Sequence, residues 1–318
     1  MQASLLSLSP ELVCEVIKDL PIEDARNFLS SCRHIYNNGK YAFDKICFRV
    51  LPVRLESTSL ANANRIIKES QCCFLREILI RLDWVNDPLC RDITQENVRH
   101  NLARLLENGL QASNKCETIT IKSNPIYNYH EIKAVAWAID RVLASQAVNH
   151  FNVQIQRMTL YDSRTLLNLG KGFLHRVHSL EIIVCKWGPV DALNEALTLM
   201  TSLKELSFIT DANADDDNDI LSSDAISDLM TKVNSERFKS LTLKGFQTTK
   251  AQLQEILDPL KPSIKEIKLQ GIMFHDGSFT RFVNYISDNL SLDDVSLEEI
   301  WENNGTRHYE IDNPMGFL

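Results

Sequence analysis

The residues of this chain with chemical potential are few and scattered, and each set can be tried against the geometry its chemistry demands. A nucleotide phosphate needs a glycine-rich turn opening a helix, where backbone N–H groups converge on the anion. The one candidate is "LGKGF" at Leu169–Phe173. It fits neither G-x-G-x-x-G nor G-x-x-x-x-G-K-[ST], and a helix-ending glycine pair is the plainer reading. Of eight histidines, His175 and His178 stand three apart, but no cysteine or carboxylate joins them at metal-ligand spacing. The acidic run 211–219, "DANADDDND", has a calcium loop's composition without the glycine and glutamate such a loop requires. It reads as a solvated insertion, because like charges repel and nothing there can be buried. The eight cysteines form no C-x-x-C pair, and G-x-S-x-G is absent. The chain therefore reads as a binding protein, with no catalytic residue, cofactor or metal site expected.

Bulk properties agree with that class. A length of 318 residues with 44% apolar content supports a sizeable core, and ten glycines and nine prolines are too few for a linker-rich chain. A net charge of −8 argues against a general partner in nucleic acid or anionic membrane. "MQASLLSLSPEL" has no basic leader, and no apolar run approaches the roughly 18 residues of a membrane span. A cytoplasmic or nuclear location is expected, with reduced structural thiols and with the sequons at Asn289 and Asn304 unmodified.

The elements that must position any binding surface show a recurring signature, apolar-x-x-apolar-x-apolar. It occurs at Leu75/Ile78/Ile80, Cys116/Ile119/Ile121, Ile155/Met158/Leu160 and Val177/Leu180/Ile182. It continues at Leu203/Leu206/Phe208, Phe238/Leu241/Leu243, Ile264/Ile267/Leu269 and Leu292/Val295/Leu297, with a looser copy at Val50/Val53/Leu55. From Ile78 onward the central positions are 41, 39, 22, 26, 35, 26 and 28 residues apart. The short intervals match leucine-rich repeats, and the longer ones require insertions such as 211–219. Helix-period segments lie between the signatures, at 94–110, 130–145, 190–200, 222–234, 250–260 and 279–290. Strands alternating with helices predict an α/β fold with a largely parallel sheet. In "ETITIK", "KSLTLK" and "KEIKLQ" every second residue is polar, so one sheet face is dry and the other wet. That alternation favours an irregular β/α solenoid over a doubly wound sheet covered on both sides.

"LSPELVCEVIKDLPIEDARNFLSSCR", Leu8 to Arg33, stands apart from the repeats. Ser9 is a good N-cap, Pro10 suits the first helical position and Glu11 complements the helix dipole. Leu12, Val13, Val16, Ile17 and Leu20 span about 140° of arc, and Pro21 ends the helix. A second helix opens at Glu23 and Asp24. Its apolar residues Ala25, Phe28, Leu29, Cys32, Ile35 and Tyr36 cover about 120°, and "NNG" at 37–39 ends it with Gly39 as left-handed cap. So small a unit needs a partner for its apolar stripes. That partner is either the first strand layer, which the helices would cap, or another protein.

This segment resembles an F-box, the three-helix module that binds the Skp-type adaptor of cullin-based ubiquitin ligases. Leu8, Glu11, Leu12, Val16, Leu20, Asp24, Cys32 and Arg33 stand where the family pattern has them, while Ser9, Ala25, Ser31 and Ile35 depart from it. "CFRVLPVRLESTSLANANRIIK" at 47–68 is similar to the strand and helix that come after the F-box in many fungal members. The resemblance implies an F-box-like helical module over 1–46 and a leucine-rich-repeat-like domain over 47–318. It also implies a non-catalytic substrate receptor of an SCF-type ligase, monomeric outside the complex, that holds a target protein for ubiquitin-dependent degradation. The implied adaptor contacts are Leu8, Pro10, Glu11, Leu12, Val16, Leu20, Pro21, Cys32 and Arg33, to which Val13 and Ile17 are added because they widen the same arc. The target would meet the concave side of a solenoid, where residues flanking the inward leucines point. These are Thr120, Lys122, Arg157, Thr159, Tyr161, Glu181, Ile183, Glu205, Ser207, Ile209, Thr242, Lys244, Lys268, Gln270 and Glu298. The competing expectation is a protein-interaction scaffold whose N-terminal helices only cap the repeats.

Overall fold

The computed structural model describes residues 8–68, 74–82, 96–112, 116–123, 129–145, 151–159, 166–167, 170–184, 190–210, 223–234, 236–275, 279–302 and 307–311. The chain begins with three helices, α1 (Pro10–Asp19), α2 (Ile22–Ser30) and α3 (Arg33–Cys47). Ser9 caps α1, its side chain accepting from Leu12 N–H, and Pro10 occupies the first turn. Leu20, before Pro21, is pushed into extended backbone and ends the helix.

The second helix is shorter than its periodicity predicts. It stops at Ser30, and Cys32 adopts extended backbone (φ −162°, ψ 160°) before α3 starts. Asn37, Asn38 and Gly39 lie inside α3, so Gly39 is no helix cap. It is the contact point of the bundle. A Cβ there would fall 2.3 Å from Ile17 Cδ1, 3.0 Å from Val13 Cγ1 and 3.1 Å from Leu29 Cδ2. The bundle has its own core of Val13, Ile17, Ala25, Leu29, Ile35 and Ala42, distinct from the one under the sheet.

Strands and helices then alternate: β1 (Val50–Arg54), α4 (Ser57–Lys68), β2 (Glu77–Leu82), α5 (Glu96–Ala112), β3 (Thr118–Ser123) and α6 (Tyr129–Ala144). There follow β4 (Asn152–Thr159), α7 (Lys171–Leu174), β5 (Val177–Val184), α8 (Val190–Leu199), β6 (Glu205–Thr210) and α9 (Ser223–Met230). The C-terminal part adds β7 (Ser240–Lys244), β8 (Gln247–Thr248), α10 (Lys250–Leu257), β9 (Glu266–Gln270), β10 (Met273–Phe274), α11 (Phe279–Asn289), β11 (Asp294–Glu302) and β12 (Arg307–Ile311). Among the described residues the fold is α/β, with one open sheet in which eleven strands run parallel and β12 pairs antiparallel to β11. From β1 to β7, then β9 and β11, each strand adds beside its predecessor without reversal.

Register explains the repeated signature. Ile78 pairs with Ile119 and Ile80 with Ile121. Leu180, Leu206, Leu241, Ile267 and Val295 form one row, and Ile182, Phe208, Leu243, Leu269 and Leu297 the next. All are buried against the helices, each contributing about 1.5–3 kcal/mol of hydrophobic stabilisation. Two copies of the signature are misplaced. In β1 the rows continue through Leu51 and Val53, because Leu51 pairs with Ile78. In β4, Ile155 and Met158 pair with Leu180 and Ile182, while Val153 and Ile155 pair with Ile119 and Ile121. An extra residue at Arg157 (φ 59°) switches the strand's parity between its neighbours.

A second bulge recurs in three strands. Lys244, Gln270 and Glu298 are in register, and the residues after them, Gly245 (φ 77°), Gly271 (φ 63°) and Glu299 (φ 52°), are left-handed. Gly245 N–H donates to Gln270 O at 2.8 Å and Gly271 N–H to Glu298 O at 3.0 Å, so the bends stack into a column. Phe246, Ile272 and Ile300 follow into the core. Glu299 bears a Cβ where its counterparts have none. A left-handed non-glycine residue costs about 1–2 kcal/mol, partly offset by glycine's entropy of about 0.5–1 kcal/mol. Glu299→Gly is therefore expected to raise the urea midpoint, corresponding to a gain of about 0.5–1 kcal/mol.

Candidate functional site

The described candidates for chemistry resolve into internal contacts. The "LGKGF" segment opens α7, but Asp140 of α6 lies where an anion would sit and accepts a hydrogen bond from Phe173 N–H. A Cβ on Gly170 would fall 2.2 Å from Asp140 Oδ2, so the glycine makes room for the chain's own carboxylate. Burial pushes the Asp140 carboxyl above its usual range, against the opposing effect of the Phe173 bond. A raised folded pKa means that this group's contribution to stability is fullest below its unfolded pKa and is lost as pH rises through the folded value. Asp140→Asn keeps the acceptor without the charge, so its stability relative to the parent should rise across that window. Thermal melts between about pH 3 and pH 7 would read the change.

His175 Nδ1 lies 3.0 Å from Thr201 Oγ1, while His178 Nδ1 lies 2.9 Å from Arg176 O, so the two histidines serve different turns. Cys116 is buried and its thiol is pushed up to about 12, which suppresses the nucleophilic thiolate. Cys14 donates instead to Asn38 O at 3.5 Å, tying α1 to α3. Among the described residues no three metal-ligating side chains gather, and no helix is long and apolar enough to cross a membrane. The acidic run 211–219, Leu160, Tyr161, Leu169 and Asn304 lie outside the described residues, as does the side chain of Thr159.

Two surfaces remain. The first is on the N-terminal helices, where the apolar arc of α1 is wider than α3 can cover. Val13 and Ile17 point inward and are fully buried, which removes them from the expected adaptor contacts: they are core residues of the module. Leu12 (55% exposed) and Val16 (37%), one turn apart, point outward, and Ile22 (50%) is exposed at the start of α2. Pro10, Glu11, Pro21 and Arg33 are exposed as well, whereas Leu8, Leu20 and Cys32 pack partly against the module's core. Glu11 is held below the usual carboxylate range by its own backbone N–H and by the Ser9 hydroxyl.

The second surface is the sheet face away from the helices. The register assembles Glu181, Ser207, Thr242 and Lys268 into one row, and Ile183, Ile209, Lys244, Gln270 and Glu298 into the next. Arg157 N–H donates to Glu181 Oε1 at 3.1 Å, so this glutamate braces the bulge of β4. Lys122, Arg157, Glu205, Lys244, Lys268 and Glu298 are exposed. Thr120 and Ile183 are buried and do not belong to a solvated surface. Thr120 sits between Leu79 and Gln154 in register, and Ile183 is followed across the sheet by Ile209. On an interior strand both flanks carry neighbours, so alternation alone does not leave a side chain wet.

Register adds residues that sequence reasoning missed. Lys122 lies beside Arg81, and Arg81 beside Arg54, giving a row of exposed cations across β1 to β3. Their signal was the polar end of the alternation in "VLPVR" and "EILIRL". The β1 edge of this sheet is blunted. Arg49 O faces β2, so alternation turns residues 50, 52 and 54 outward. Pro52 has no N–H, and Arg54 N–H is taken by Ser59 Oγ at 3.0 Å.

No protein-family model matches the chain, and no curated protein matches it.

Proposed function

We propose that the chain is a non-catalytic substrate receptor of a cullin-based ubiquitin ligase. Its first three helices form an F-box-like module that docks a Skp-type adaptor through Leu12, Val16, Ile22 and their exposed neighbours. The remainder is a leucine-rich-repeat-like solenoid whose open face holds a target protein. The carrying observation is the split arc of α1. The module completes its own core with Val13 and Ile17 and still exposes Leu12 and Val16 on the opposite flank. An apolar pair one turn apart fits a groove on a partner, with the exposed polar residues around it as rim.

The solenoid reading is supported by the strand order, which runs without reversal from β1 to β7 and on through β9 and β11, and by the stacked column at Gly245, Gly271 and Glu299. Its mechanism is proximity: tethering a target raises its effective concentration near a ubiquitin-loaded enzyme supplied by other subunits. The alternative, a scaffold whose helices merely cap the sheet, has one contact in its favour. Tyr41 of α3 meets Phe74 edge-on, with centroids 5.0 Å apart at 83°. Against it stand the separate cores and the first strand's edge, already blunted by Pro52 and Ser59. Affinity isolation of the tagged full chain from its own cells tests the proposal. Recovery of an adaptor and a cullin, lost in Leu12→Asp/Val16→Asp, is the expected result, and recovery of neither from the parent chain overturns it.

A further inference from the structure

The helix layer carries a second binding feature, unrelated to the adaptor surface. Trp137 of α6 is half-buried against the core and organises two neighbours. His100 of α5 meets the indole edge-on, with centroids 5.1 Å apart at 74°. Arg141, one turn along α6, lies over the same ring, its guanidinium carbon 5.5 Å from the centroid. Between α5 and α6 runs a groove of about 420 Å³, with Ala103 and Val142 among the lining residues and His100, Arg104, Glu107 and Arg141 as its charged or titratable ones. Among the described residues, neither Arg104 nor Arg141 is paired with a carboxylate. His100 is bonded to Glu96 at 3.3 Å, on the exposed side of α5.

Surface arginines ordinarily find carboxylates or solvent. Here two guanidiniums from different helices share one groove, and one of them is held by an indole rather than an acid. We infer that the α5–α6 groove is a phosphate-binding site, in which Arg104 and Arg141 take the anion between them and His100 stands as third donor. A carboxylate offers two oxygens and is satisfied by one guanidinium fork, whereas a phosphate offers three and can accept from both. Glu107, the one acid lining the groove, opposes the anion and limits affinity. The groove also exceeds the size of an inorganic ion, so the phosphate belongs to an ester, either on a peptide side chain or on a small metabolite.

The test is calorimetric titration of the full chain with inorganic phosphate, glucose 6-phosphate, a phosphoserine heptapeptide and the same peptide with glutamate in place of phosphoserine. Saturable binding of at least one phosphate probe at or below about 1 mM is expected, with the tighter ester identifying the source. Arg104→Gln/Arg141→Gln should weaken it by about 10-fold or more, and Glu107→Gln should strengthen it several-fold, with thermal midpoints unchanged. The inference is overturned if no phosphate probe binds with a dissociation constant below about 1 mM, if the double variant binds as the parent does, or if the glutamate peptide binds as tightly as the best phosphate probe.

Discussion

Replacing Gly39 with valine is expected to unfold the N-terminal helices while the sheet stays folded. Gly39 lies where α3 crosses α1 and α2, and a Cβ there would approach Ile17, Val13 and Leu29 at 2.3, 3.0 and 3.1 Å. All three are buried, and the core they share holds only six buried apolar residues, so little can shift to make room. A glycine within a helix would otherwise gain about 1 kcal/mol on mutation to alanine, which makes alanine an ambiguous probe here. Valine adds branched bulk, and overpacking costs about 1–3 kcal/mol, enough to unfold a module this small. Hydrogen exchange should show residues 10–47 losing protection while β2 to β7 retain theirs. Retained protection over 10–47 would mean that the helices are looser than their contacts imply.

Gly245→Val is the corresponding lesion in the sheet. The residue has φ 77°, and a Cβ would fall 2.1 Å from Thr210 Oγ1, which donates to the Gly245 carbonyl. Forcing a left-handed branched residue costs about 1–2 kcal/mol and displacing Thr210 a further 1–3, so roughly 3 kcal/mol is expected in total. For a chain this long that corresponds to a fall of roughly 4–5 °C in Tm. Thr210→Ala in the same background should recover part of the loss by removing the hydroxyl that the new Cβ would strike. An unchanged Tm would remove the stacked bulges from the account of the fold.

These two glycines mark where local pattern stops being informative. Period-two alternation and helical spacing located most elements closely. The helix expected at 130–145 is observed at Tyr129–Ala144, and that at 279–290 at Phe279–Asn289. Such patterns are visible because each strand turns its apolar face to the same core. Gly39 was misread because its role is set by Ile17 and Val13 twenty-odd residues away, while its local context, two asparagines before a glycine, is that of a helix end. Arg157 inserts one residue into β4, and a single insertion inverts which face the following side chains take. The burial of Thr120 and Ile183 depends on flanking strands, which no single strand's sequence specifies.

The exposed apolar patch on α1 was half legible for a similar reason. Periodicity gathered Leu12, Val13, Val16 and Ile17 on one arc, but only the position of α3 divides that arc into a buried and an exposed half. Val13 and Ile17 hold the module together, and Leu12 and Val16 stay exposed. The groove between α5 and α6 left no motif, since Arg104, Trp137 and Arg141 come from two helices separated by a strand.

The proposed docking surface is the outward half of α1. Titration of the purified full chain with a purified Skp-type adaptor tests it most directly. The parent chain should bind with a dissociation constant of about 1 μM or tighter, and Leu12→Asp/Val16→Asp should weaken binding by about 100-fold while hydrogen exchange over 10–47 is unchanged. No binding by the parent chain, or equal binding by the double variant, would contradict it.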